Sequence, residues 1–157
     1  MDKLGNRGMN FCTTSGLLTA TGAETVYDTT VTINYVLNGK IATKTAVTDG
    51  VTPTTDYVTG NAITMVASQI RVVVWGLISG GTVKVIAGPV CDWDGTNANP
   101  MPQFPAIPDG FVPFAYQVLK TASTAGTITF GSSNWNATGF TNAIVNVAVL
   151  PDRPQIS

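Results

Sequence analysis

The feature that most constrains the fold is an alternating segment that leads directly into Asn38-Gly39. In residues 30–37 the odd positions are apolar and the even positions, except Val36, are polar. This period of two is typical of a strand with one buried face. Asn and Gly both tolerate the positive φ that a two-residue hairpin turn requires. With residues 40–44 as the returning strand, the sequence predicts an antiparallel hairpin.

The rest of the chain shows the same preference for strands. It holds 24 threonines and 18 valines, which are β-branched, and no long window has a helical period. Residues 70–78 are almost continuously apolar and predict a strand buried on both faces, followed by a hairpin into residues 82–87. Short apolar runs separated by turn residues are typical of a sandwich or barrel. We therefore predict an all-β fold, a single antiparallel sandwich or barrel domain, with further strands at 114–120, 126–131 and 141–150.

Three segments are expected to lie outside the regular sheets. Residues 1–24 carry several glycines and little alternation, so we predict an extended N-terminal arm before a β-domain at 25–157. Residues 49–61 are polar and predict a loop. Residues 89–113 are rich in proline, which removes backbone donors, so we expect a long irregular loop here and not a central strand.

Charge and hydropathy exclude several classes of function. Only 11% of the residues are charged, the net charge is −1 and no basic stripe is present, so we expect no nucleic-acid partner. The longest apolar run is far shorter than the roughly 20 residues of a membrane span, and no signal peptide is visible at the N-terminus. We expect a protein made in a host cytoplasm, without a membrane partner. The low charge also leaves little electrostatic barrier to self-association.

The sequence offers little for catalysis or metal binding. It has no histidine, which removes the commonest general base, and its carboxylates are scattered among turns. Asp92 and Asp94 lie close enough to suggest a calcium loop, but no terminal glutamate follows, so an ordinary turn is the favoured interpretation. Cys12 and Cys91 are expected to be buried thiols. We predict neither an enzyme nor a cofactor.

Aromatic residues in loops are the remaining candidates for binding. Trp75 lies in the most apolar strand and is expected in the core, whereas Trp93 and Trp135 lie in loops where they would be exposed. Exposed aromatics commonly anchor protein interfaces, and their rings can also stack on sugars. The interpretation as a protein interface is favoured, with glycan binding as the alternative.

Two segments resemble a pattern that recurs in structural proteins of tailed-bacteriophage virions. They are residues 104–120 (FPAIPDGFVPFAYQVLK) and residues 129–139 (TFGSSNWNATG). Val74-Trp75-Gly76 is also similar, and the likeness covers roughly residues 70–154. The resemblance implies a head-decoration, cement or head-fibre protein, usually a trimer placed over junctions between capsid subunits.

We therefore expect a virion protein that decorates or cements the outer capsid surface. Its expected partners are the major capsid protein and further copies of itself, as a homotrimer. The alternative is a receptor- or glycan-binding module of a phage fibre or tailspike. The candidate interface residues are Met9, Phe11, Leu17, Leu18, Trp93, Phe104 and Trp135.

Overall fold

The computed structural model describes residues 10–14 and 17–156. The prediction of an all-β antiparallel fold is confirmed. The strands are β1 (Phe11–Cys12), β2 (Leu18–Thr19), β3 (Val26–Thr29), β4 (Ile33–Leu37), β5 (Lys40–Lys44), β6 (Val47–Val51), β7 (Thr64–Met65), β8 (Gln69–Leu77), β9 (Val83–Ala87), β10 (Cys91–Trp93), β11 (Ala98–Asn99), β12 (Val112–Thr121), β13 (Ile128–Thr129) and β14 (Phe140–Asn146). Within the described residues, no helix has the length and hydropathy to cross a bilayer.

The strands form one large sheet and three small ones. The large sheet has the order β11-β10-β8-β12-β14, with β9 also paired to β8. The small sheets are β1-β4-β5, β2-β3-β6 and the pair β7-β13. All strand pairs are antiparallel. The central strands β8 and β12 are almost wholly buried, as predicted for residues 70–78.

Both faces of the large sheet are covered, which explains why β8 is apolar throughout except for Gln69 and Arg71. Val73, Trp75 and Leu77 point into a core shared with residues of the three small sheets. Val72 and Val74 point to the other face, where a second core is packed by side chains of the proline-rich segment and of the C-terminal residues. Strands buried on both faces lose the polar alternation of a half-exposed strand.

The proline-rich segment differs from the prediction in two places. Two short strands, β10 and β11, lie within it at one end of the large sheet. Pro113 lies in β12, a central strand, beside an irregularity between Pro113 and Ala115 where the register with β8 shifts. The register shift leaves Phe114 without a partner in β8, whereas Pro113 pairs with Gly76. Pro113 precedes Ala115, where pairing with β14 begins, so β12 is not flanked on both sides at this residue and proline is tolerated.

The N-terminal residues also differ from the prediction. Cys12, Leu18 and Ala20 are buried in the first core, and β1 and β2 each extend a small sheet. Residues 10–14 and 17–24 are therefore part of the β-domain and not an arm that precedes it. Residues 1–9, including Met9, lie outside the described residues. The polar loop predicted at 49–61 likewise begins within β6.

The predicted hairpin at Asn38-Gly39 is confirmed. Leu37 pairs with Lys40, and the two turn residues have φ of 51° and 77°.

We expect Gly39→Val to lower the free energy of unfolding by about 1–2 kcal/mol, because an L-residue with a branched Cβ is strained at positive φ. Urea unfolding measures the loss. Gly39→Asn is the control, since Asn tolerates this conformation, and a valine variant as stable as the asparagine variant would contradict the prediction.

Candidate interaction surface

A row of apolar side chains crosses the outer face of the β1-β4-β5 sheet. Phe11 pairs with Val36, and Val36 pairs with Ile41, so the three side chains lie side by side on one face. The adjacent residues Cys12 and Tyr35 point the other way, into the core. Ile41 is 84% exposed and Phe11 36% exposed, while Val36 is half-buried. We call Phe11, Val36 and Ile41 the outer row.

On β4 and β5, the residues that share the face of the outer row carry no charge. Asn34 pairs with Thr43 one step along β4 and β5, and alternation places both on the side of the outer row. Lys40 and Lys44 have the opposite parity and pair with Leu37 and Ile33. The outer face of this hairpin therefore presents apolar and neutral polar groups to water.

Beyond Phe11, the apolar surface continues onto the chain that follows β14. The Cys12 amide donates a hydrogen bond to the Ala148 carbonyl at 3.2 Å, which holds this segment beside β1. Val149 is 69% exposed. A groove of about 430 Å³ lies next to Asn10 and is lined mostly by apolar residues of segments 106–113 and 148–150. The groove is also lined by the carboxylate-bearing Asp109, so the surface beyond Phe11 is of mixed polarity.

The prediction of an interface role is wrong for two residues, because their side chains lie in the core. Trp135 is buried, and its indole Nε1 donates to the Val26 carbonyl at 2.7 Å. Its ring packs edge-on against Phe130 at 5.3 Å between ring centroids. Leu18 is also buried, on the inner side of β2. Neither side chain is accessible to a partner of the folded monomer.

The other described candidates are partly or fully accessible. Leu17 and Phe11 are exposed. Phe104 is half-buried and packs edge-on against Tyr116, 5.0 Å between ring centroids, so it anchors the proline-rich segment to the large sheet. The structure brings only Phe11 into the outer row. Sequence reasoning missed Val36 and Ile41, although Val36 was the one apolar residue that broke the alternation of its strand, and the hairpin turn determines that Ile41 faces it.

Trp93 lies at a separate cleft. It is half-buried, and the Lys120 ammonium lies 4.6 Å from its ring centroid, in a cation–π contact. Lys120 also donates to the Ile156 carbonyl. The cleft has a volume of about 410 Å³, and its walls include Trp93, Asp94, Lys120 and several serine and threonine residues. The cleft is thus lined by the edge of an aromatic ring, one cation, one carboxylate and several hydroxyl groups.

Asp56 is a buried carboxylate that organises its own loop. It accepts hydrogen bonds from the amides of Val58, Thr59 and Ala87 at 2.9, 2.7 and 2.7 Å. Burial alone would raise the pKa of the Asp56 carboxyl, but these hydrogen bonds together outweigh burial and hold the pKa below its ordinary value. Asp56 therefore remains an acceptor for backbone amides at neutral pH.

Asp94 has a related role on the surface. Its carboxylate accepts from the amides of Thr96 and Asn97 at 2.7 and 2.6 Å, and hydrogen bonds to the Asn97 and Thr96 amides lower its pKa. Within the described residues, no group of three or more metal-binding side chains comes together. Asp94 therefore closes a turn with its side-chain-to-backbone hydrogen bonds, whereas Asp92 lies in β10, paired with Asn99 and Gln69.

Both cysteines are buried and unpaired. Burial raises the pKa of the Cys12 thiol to about 12, and burial followed by the nearby Asp92 charge raises the pKa of Cys91. Since the thiolate is the reactive form, both thiols are held in the unreactive state.

Comparison with known proteins gives no relative for this chain. Neither a protein-family model, nor a curated protein sequence, nor a solved structure matches it.

Proposed function

We propose that this chain is a structural virion protein of a tailed bacteriophage that binds the outer capsid surface and decorates or cements capsid subunits. The observation that carries the proposal is the outer row on a hairpin face without charge, together with the exposed Val149 in the segment held beside β1. Apolar area on a sheet face is unfavourable in water, at roughly 25 cal/mol per Å², and is stabilised by a partner that covers it. The resemblance of residues 104–120 and 129–139 to phage virion proteins supplies the kind of partner, the major capsid protein.

The roles of the polar and ionisable groups support binding in preference to catalysis. The two carboxylates with lowered pKa values, Asp56 and Asp94, accept hydrogen bonds from backbone amides of their own loops or of a neighbouring strand. The two thiols are buried and protonated. These groups hold the fold together, and we propose that the protein is not an enzyme.

A cement protein acts by contacting more than one capsid subunit. Linked contacts raise the overall affinity without requiring a strong single interface. The low charge of the chain, 11% of its residues, removes an electrostatic barrier to such contacts and to association between copies. We propose that the protein works as a homo-oligomer on the shell, and the phage resemblance favours three copies.

Capsid binding is tested by co-sedimentation of the full chain with purified capsids. We expect saturation at a constant ratio of copies to shell subunits. Val149→Asp should weaken binding about tenfold, equivalent to roughly 1.4 kcal/mol, because a carboxylate beside the outer row must lose water on docking. Val58→Asp is the matched control, since Val58 is 58% exposed and lies in a separate turn.

Two results would contradict the capsid proposal. One is a full-length chain that stays in the supernatant at every capsid concentration. The other is an equal loss of binding in the Val58 and Val149 variants, which would mean that the surface around the outer row has no special role.

The alternative, a glycan-binding module of a fibre or tailspike, now rests on Trp93 alone because Trp135 is buried. Its cleft of about 410 Å³ is large enough for a small ligand, and its hydroxyl groups suit a sugar. However, Lys120 lies over the Trp93 ring, where a stacked sugar would have to displace it. A glycan array that shows binding by the full chain, lost in Trp93→Ala, would favour this alternative.

A further inference from the structure

The chain that follows β14 ends in a segment that joins no strand. Residues 151–156 lie outside every strand of the fold. Among the described residues, two hydrogen bonds tie this segment to the rest of the molecule: the Gln155 amide donates to the Tyr116 hydroxyl at 3.0 Å, and the Ile156 carbonyl accepts from the Lys120 ammonium. Pro154 is buried, and Ile156 packs against the second core. We call residues 154–156 the strap.

The strap and the Trp93 cleft lie on the same face of the large sheet. Lys120 pairs with Ile70 of β8, and Ile70 pairs with Cys91 of β10. Trp93 is the next residue but one after Cys91 in the same strand, so it points to the same face. The Lys120 ammonium lies 4.6 Å from the Trp93 ring centroid and also donates to the Ile156 carbonyl. Lys120 thus connects the strap to the indole.

We propose that the strap is an autoinhibitory latch for the Trp93 cleft. While the strap is seated, its Ile156 carbonyl holds the Lys120 ammonium over the Trp93 ring, so the indole is closed to any ligand that would stack on it. When the strap leaves its seat, Lys120 turns into solvent and the cleft of about 410 Å³ opens to a ring-shaped ligand. The hydroxyl-bearing walls of the cleft suit a sugar as that ligand.

The position of Lys120 over the indole depends on the strap. A long lysine side chain gains rotamer freedom when it is released, and a cation–π contact at a partly exposed site is a weak restraint by itself. The Ile156 carbonyl adds a hydrogen bond from a charged donor, and such bonds are roughly twice as strong as those between neutral groups. Loss of this bond therefore favours movement of the ammonium away from the ring.

The strap can detach without disturbing the sheets. Its backbone belongs to no hydrogen-bond ladder, and residues 151–153, which lead into it, are exposed. Segments with few buried contacts open at free energies far below that of global unfolding. The latch can therefore open while both cores remain packed. The strap shares no residue with the outer row, so this proposal and the capsid proposal can fail separately.

Acrylamide quenching of the tryptophan fluorescence of the full chain tests the latch. Trp75 is 0% and Trp135 is 3% exposed, so the quenchable emission reports Trp93, and Trp93→Phe should remove it. Ile156→Ser should raise the quenching constant about twofold, because a strap without its apolar anchor spends more time unseated. Gln155→Ser is the matched control and should leave the constant unchanged, since the Gln155 side chain is exposed.

Two further variants distinguish a latch from a simple cover of the second core. Tyr116→Phe removes only the hydroxyl that accepts from the Gln155 amide; it should also raise the quenching constant, and it provides the test if Ile156→Ser does not fold by circular dichroism. Lys120→Met should raise the constant and abolish the further effect of Ile156→Ser, because both substitutions act through the same ammonium and coupled effects do not add. Equal quenching constants for the Ile156 and Gln155 variants, or an Ile156→Ser effect that is undiminished in the Lys120→Met background, would overturn the proposal.

Discussion

Gly76→Ala is expected to lower the free energy of unfolding by about 3 kcal/mol, the upper part of the range for overpacked cores. Gly76 lies in β8, and a Cβ there would lie 2.2 Å from Cε1 and 2.4 Å from Cζ of Phe111. The Phe111 ring is buried and stacks on Tyr57 at 6.1 Å between ring centroids. Relief of the collision therefore requires the ring to move towards the groove that it lines, or the sheet or the segment before β12 to shift.

The control for this substitution is Gly126→Ala. Gly126 has nothing within 4 Å of a Cβ position, so the added methyl should change stability little or raise it by about 0.4–1 kcal/mol through the unfolded chain. Urea unfolding of both variants gives the comparison. The double variant Gly76→Ala with Phe111→Leu should recover part of the loss, since a smaller side chain at 111 relieves the collision and neighbouring substitutions are not additive. Equal stabilities of the two alanine variants would refute the collision.

Asp56→Ala is expected to cost about 3 kcal/mol, because it leaves three backbone amides without their acceptor and hydrogen bonds to charged groups are worth roughly 1.5–3 kcal/mol. Loss of the acceptor of the Ala87 amide is the most costly of these, since this amide lies at the end of β9 and donates to Asp56 Oδ2 at 2.7 Å. The loop at 56–60 would lose one of its hydrogen bonds to the large sheet and keep the one that the Tyr57 amide donates to the Val85 carbonyl at 2.8 Å. Asp94→Ala should cost less, because the amides of Thr96 and Asn97 are exposed and can bond to water.

The same carboxylate gives the protein a pH dependence. Because the folded pKa of Asp56 is lowered from 3.8, its stabilisation is fully present above the unfolded value and is lost as the pH falls through the folded pKa. The thermal unfolding temperature of the native chain should therefore fall as the pH is lowered below about 4, where carboxyl groups of the unfolded chain begin to bind protons. The unfolding temperature of the Asp56→Ala variant should fall less between about pH 4 and about pH 2. Parallel curves for the two proteins would mean that Asp56 does not contribute.

The local pattern of the chain predicted its strands where two physical signals agreed. Alternation plus Asn38-Gly39 located the hairpin of β4 and β5, and the almost continuous apolar run of residues 70–78, bounded by turn residues, located β8, because a strand covered on both faces carries no polar side. Where only one signal was present the sequence was misleading. Proline suggested that residue 113 lies outside the sheet, yet Pro113 pairs with Gly76 at the start of β12, before pairing with β14 begins at Ala115.

Only the tertiary structure determined which side chains are exposed and which residues they contact. Trp135 follows a run of turn residues that suggested an exposed loop, but the loop folds inward and the indole bonds to the Val26 carbonyl, 109 residues away in the chain. Leu18 is buried for a similar reason, since β2 joins β3 of a sheet packed over the first core. Alternation in a sequence identifies two faces of a strand, but which face another layer covers depends on contacts between distant segments. For that reason the sequence by itself determined the hairpin that holds Ile41, while only the packing of the sheets determined that Ile41 remains exposed.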